Sequence, residues 1–133
     1  MADMLDELGD YLEAQGVGTL AEDLFIGAYP DKPDSMVAVM EYQGDAPSLT
    51  HSAPGVSYER RRIQIMARGL TRGAAMVLAT GADVALQAVR NMDLGGTRYL
   101  GIYPLQSPFP LGRDANERYK VVCNYRVEKA PSA

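Results

Sequence analysis

The sequence predicts one α+β domain, a mixed or antiparallel sheet of five to six strands flanked by two helices in the order α-β-β-β-α-β-β. Three observations lead there. Apolar residues recur at helical spacing in two segments, one near the start and one in the middle. Apolar and polar residues alternate in short runs elsewhere. Gly and Pro cluster between the runs. The whole length, 1–133, is read as a single domain. A chain near this size buries roughly two-thirds of its unfolded surface and needs no metal or disulfide to fold.

Residues 2–15 are predicted as an amphipathic helix. Met4, Leu5, Leu8, Tyr11 and Leu12 recur on one side, and Asp6, Asp10 and Glu13 take the other. Asp3 is the expected N-cap, and Gly16 and Gly18 end the helix. Residues 23–29 are expected as a short strand, stopped by Pro30 and Pro33. Residues 36–42 follow as a strand covered on both faces. The Gly, Pro, Ser and Thr of residues 43–57 predict a long loop.

A third strand is expected over residues 58–67, with Ile63, Ile65 and Ala67 on one face. Tyr58, Arg60, Arg62, Gln64 and Met66 take the other. Arg61 falls on the Ile63 face, where either snorkelling to solvent or pairing with an acid is expected. Thr71 caps a second helix running to about Asn91. Gly81 within that helix is expected to mark close packing. Asp93 to Thr97 offers a turn into a strand at 97–105, where Pro104 suggests an edge or a bulge. Residues 106–117 are expected as a second long loop, before a clean alternation over 118–128.

Composition narrows the function. Hydrophobic residues make up 47% and charged residues 23%, the balance of a folded domain. The single cysteine, Cys123, cannot form a disulfide within the chain or build a zinc site, which suits a reducing compartment. No apolar run is long enough for a membrane helix, and the acidic start does not resemble a secretory signal. The net charge of −4 argues against general nucleic-acid binding. That charge is divided unevenly. Residues 1–31 hold eight acids and no Lys or Arg, and all thirteen bases lie beyond them. The two parts attract either within one subunit or between neighbours.

No catalytic constellation emerges. His51 is the only histidine, and it sits beside Ser52 in the first long loop without an orienting acid. Cys123 lies on an alternating apolar face and reads as a small buried hydrophobe. Gly95-Gly96 lacks the following Lys and Ser or Thr of a phosphate loop and reads as a turn. The expectation is a protein with no enzymatic activity and no cofactor. The triplet Arg60-Arg61-Arg62 is the one basic cluster, and Arg60 and Arg62 are placed to meet an acidic helix on a neighbouring subunit.

Three stretches carry a family resemblance. They run from Met4 through Leu12-Glu13-Ala14-Gln15-Gly16-Val17-Gly18, from Tyr58 through Ile65 to Ala67-Arg68-Gly69, and from Thr97-Arg98-Tyr99-Leu100 through Ser107-Pro108-Phe109 to Leu111-Gly112-Arg113-Asp114. Together they resemble the bacteriophage minor capsid family, whose relatives are the tail terminator proteins of long-tailed phages. The resemblance implies a ring, commonly of six copies, in the virion tail or neck. Such a ring caps the tail tube, stops its polymerisation and meets the head-to-tail connector, with DNA passing through its lumen unread. It implies assembly in the host cytoplasm. A head-side neck or minor capsid component is the alternative, and a small enzyme or regulator using the His51 loop is a third. Candidate subunit or tube contacts are Asp6, Asp10, Glu13, Arg60 and Arg62 from their charge. Arg68, Phe109, Arg113 and Asp114 join them from the resembling stretches.

Overall fold

A computed structural model describes residues 3–49 and 57–131. In chain order the elements are α1 (Met4–Ala14), β1 (Leu24–Ile26), β2 (Met36–Leu49), β3 (Ser57–Gly69), α2 (Arg72–Gln87), β4 (Arg90–Leu94), β5 (Thr97–Pro104), β6 (Phe109–Arg113) and β7 (Tyr119–Lys129). This is the predicted α+β arrangement with two further strands, β4 and β6. The seven strands form one sheet in the order β1-β2-β3-β7-β5-β4, with β6 also paired to β7. β1 runs parallel to β2, and the remaining pairs are antiparallel.

Both helices start where side chains can satisfy their free N–H groups. The Asp3 carboxylate accepts the Asp6 N–H at 3.0 Å, and Asp6 accepts the Asp3 N–H at 3.2 Å, a reciprocal capping box. Thr71 Oγ1 accepts the Ala74 N–H at 3.1 Å. Gly16, at φ +80°, turns the chain out of α1. Helix α2 stops at Gln87, four residues before the expected Asn91. The apolar pattern continues through Val89 and Met92, but the chain leaves the helix before Val89, and Met92 belongs to the hairpin strand β4. Leu94 pairs with Thr97 around Gly95 and Gly96, at φ +57° and +87°. Positive φ at both central residues matches the twist of a two-residue hairpin.

Two expected loops are partly strand. Residues 43–49 continue β2 opposite β3, with irregular register around Asp45 that absorbs the breakers Gly44 and Pro47. His51 and Ser52 lie outside the described residues. Residues 109–113 form β6 along an edge of β7, so the second loop is also corrected. An edge strand has one unpaired side and tolerates proline, as Pro110 illustrates. The first short strand is cut to Leu24–Ile26. Strand β5 lies between β7 and β4, and its register shift falls between Tyr99 and Gly101. Pro104 instead ends β5 beyond the last pair with β4.

Alternation decides what each sheet face meets. Val37, Val39, Ile63, Ile65, Ala67, Val121, Cys123, Tyr125 and Val127 form the main core with Met4, Leu8 and Leu12 of α1 and the alanines of α2. The opposite face carries a smaller cluster of Met36, Ala38, Met66 and Val122. Here the 27–35 segment, returning from β1 to its parallel partner β2, crosses the sheet. Arg68, buried on that face, donates to the carbonyls of Pro30, Asp31, Pro33 and Asp34 at 2.7–3.3 Å. The Cys123 thiol donates to Gln106 O at 3.0 Å, and burial pushes its pKa up. Gly81 does not mark close packing within the subunit, since a Cβ there would meet nothing within 4 Å.

Candidate interaction surfaces

The sheet face turned away from the helices gathers arginines. The register aligns Arg60 with Glu128 and Arg62 with Arg126, and extends these rows to Tyr103 and Gly101 of β5 and Arg90 of β4. Neighbours in one row share a face. The Tyr103 ring lies 4.7 Å from the Arg90 guanidinium and 5.3 Å from that of Arg126. Glu128 approaches both Arg60, at 3.7 Å, and Arg126, at 3.6 Å. One carboxylate thus serves two guanidiniums, and the β2 register sets a second acid, Asp45, opposite Arg60, so four arginines (Arg60, Arg62, Arg90 and Arg126) share these rows with two acids. Arg126 Nε is buried and has no hydrogen-bond partner among the described residues. Beside the arginines, Met40, Tyr42, Gln64 and Asn124 line a shallow depression of about 210 Å³.

Arg61 points to the other face, as its parity predicts. It pairs there with Glu41 and with Glu59, the latter at 2.9 Å, and Lys129 also reaches Glu59 at 3.1 Å. Burial alone would raise the Glu59 pKa, but the bonds from Lys129 and Arg61 outweigh it and hold the group low.

The exposed side of α1 is acidic. Asp6, Asp10 and Glu13 follow one another at i, i+4 and i+7. Asp6 is engaged in the capping box, and Glu13 accepts the Leu20 N–H at 2.8 Å. Asp10 makes no hydrogen bond among the described residues.

Two of the resembling stretches are committed inside the subunit. Arg68 is taken up by the 27–35 segment. Asp114 accepts the N–H of Arg118 at 2.9 Å and its guanidinium at 2.9 Å, while Arg118 also reaches Asp31 at 2.8 Å. The Arg118 N–H leads the forces that hold the Asp114 pKa down at about 2, followed by the guanidinium and the Asn116 N–H. Phe109 and Arg113 remain exposed on β6, and Arg113 is 3.9 Å from Glu117. The structure therefore brings together Arg60 with Arg62, and Asp6 with Asp10 and Glu13, but it separates those two groups.

Sequence reasoning missed an apolar outer surface. Val77 is 72% exposed and Val84 66%, on the side of α2 away from its buried alanines. The signal was the near absence of charge on that helix, since a helix apolar on both sides is ordinarily covered. Leu111 on β6 is 60% exposed. Arg90 and Arg126 were also missed, because only strand pairing places them beside Arg60 and Arg62. Among the described residues no helix is long and apolar enough to cross a membrane, and no group of three or more His, Cys, Asp or Glu could hold a metal ion.

A family model described as bacteriophage tail terminator protein matches residues 11–130. The chain belongs to the bacteriophage tail terminator family. It is therefore a structural virion protein of the tail or neck. The terminator fold also resembles a chain in a solved structure titled "Virion of native gene transfer agent (GTA) particle", with a TM-score of 0.54 and 14% identity. That alignment covers 98% of the terminator and 87% of the other chain. No curated protein sequence matches it.

Proposed function

We propose that copies of this chain close into a ring of six that caps the tail tube and stops its polymerisation. The free side of the ring meets the head-to-tail connector, and DNA passes through the lumen without being read. The ring assembles in the host cytoplasm before it enters the virion. The family match over residues 11–130 carries this reading. The exposed Val77 and Val84, on one side of α2, support it as apolar area for a neighbouring copy to cover.

The test adds purified protein to polymerising tail-tube protein, with light scattering and negative-stain imaging as readouts. Rings and tubes of limited length are the expected result. A persistent monomer that leaves tube growth unchanged overturns the proposal. Binding to connector or portal protein but not to tube protein assigns the chain to the head side of the neck.

A further inference from the structure

The uneven charge of the sequence left two explanations open, attraction within a subunit or between subunits. Within the subunit Asp31 of the acidic part pairs with Arg118 at 2.8 Å, but the acids of α1 are placed differently. Met4, Leu8 and Leu12 pack α1 against one face of the sheet, in the cluster that holds Ile63 and Ile65. Asp10 and its neighbours look outward from that layer. Arg60 and Arg62 alternate with Ile63 and point out of the opposite face. The acids and the arginines therefore lie on opposite sides of the domain, with a helix and a sheet between them. A helix with its side chains is about 10–12 Å across. The Debye length at physiological salt is about 8 Å. Attraction between the two exposed surfaces within one subunit is largely screened.

We propose that the acidic side of α1 in one copy docks on the Arg60–Arg62–Arg126 face of the next. This rests on the ring proposed above and names the surfaces that would join its members. Charge complementarity selects the occupant. Among the described residues the outer acids of α1 have no basic partner, and the arginine rows set four guanidiniums against two acids, the shared Glu128 and Asp45. Contact between two different surfaces is heterologous. Repeated around an axis, it forms a ring when the rotation closes and a filament when it does not. Surfaces on opposite sides of a subunit leave each copy free to hold one neighbour on either side. Tyr42 and Tyr103 flank the arginines and supply apolar area that charge alone lacks.

The test uses two full-length variants and their mixture. The first carries Asp10→Lys with Glu13→Lys, which makes both of its docking surfaces basic. The second carries Arg60→Glu with Arg62→Glu, which makes both acidic. Each alone is expected to lose the ring peak in light scattering. Mixed in equal amounts they regain it, because the basic helix of one now meets the acidic face of the other. Circular dichroism and thermal melts confirm that each variant is folded, and a misfolded variant could not be rescued by mixing. Rings formed by each variant alone as readily as by the parent protein overturn the docking and leave the tail-cap reading standing. Loss without rescue by mixing also overturns the docking. A parent protein that never self-associates and leaves tube growth unchanged overturns both.

Discussion

The Tyr99 hydroxyl donates to the Glu7 carboxylate at 2.8 Å and joins β5 to α1 across 92 positions of sequence. Thr97 donates to the other oxygen at 2.6 Å. Glu7 is buried, so its oxygens depend on these two donors in place of water. Tyr99→Phe removes one donor and leaves an acceptor short. The expected loss is about 1–3 kcal/mol. Chemical denaturation checks this as a lowered midpoint with an unchanged slope. Thr97→Val acts on the same carboxylate, so the double variant will depart from additivity.

Alkaline behaviour follows from the same bond. Burial first, and then the bond to Glu7, push the Tyr99 pKa above its ordinary value. Burial and a 2.6 Å bond to Asp83 do the same for Tyr125. The folded state thus holds these protons more tightly than the unfolded one. Their stabilisation is complete below the ordinary tyrosine pKa of about 10 and is lost as pH rises beyond it. Thermal melts should decline from about pH 10 upward. Absorbance should show both phenols ionising only as the fold is lost, and early ionisation in the native protein would contradict the assignment.

At the acid end Asp114 has the opposite sign. Its pKa is held at about 2 by the Arg118 N–H and guanidinium. The contribution is complete above the ordinary carboxylate pKa of about 4 and disappears as pH falls towards 2. Asp114→Asn should flatten the decline in melting temperature across that interval. A variant as acid-sensitive as the parent would show that the link to Arg118 does not matter for stability.

Gly81 can be tested independently. It sits inside α2 with open space where a Cβ would stand. Nothing in the subunit requires a glycine there. Gly81→Ala should raise unfolding stability by about 1 kcal/mol through helix propensity. A denaturation curve for the dissociated protein measures it, and destabilisation would reveal a conformational demand on this position.

Local chemistry was the readable part of the fold. Asp3 and Thr71 announce their helices because a cap is a short-range event. The parity of Ile63, Ile65 and Ala67 assigns both faces of β3. Residues 88–91 were read as helix because the apolar pattern continued through Val89, and the hairpin at Gly95-Gly96 overrode it. Strand β6 was read as loop because Pro108, Pro110 and Gly112 are breakers, which only the free edge of β7 accommodates. Buried Glu7, Arg68, Arg118 and Lys129 depend on partners distant in sequence. Lys129 alone had a signal, since it continues the alternation of Tyr125 and Val127. The charged surfaces were readable as residues, but their placement on opposite sides was not.

The position of β7 has a consequence for synthesis. It pairs with β3 from Glu59↔Lys129 to Gly69↔Tyr119, and it supports β5 and β6 along its other side. A chain emerging from the ribosome can form α1 and the β2–β3 pair early, yet the middle of its sheet is missing until residue 129 has been made. Long-range pairing of this kind also slows folding. Chains terminated before residue 119 lack the strand that unites both halves of the sheet, so they cannot form this fold.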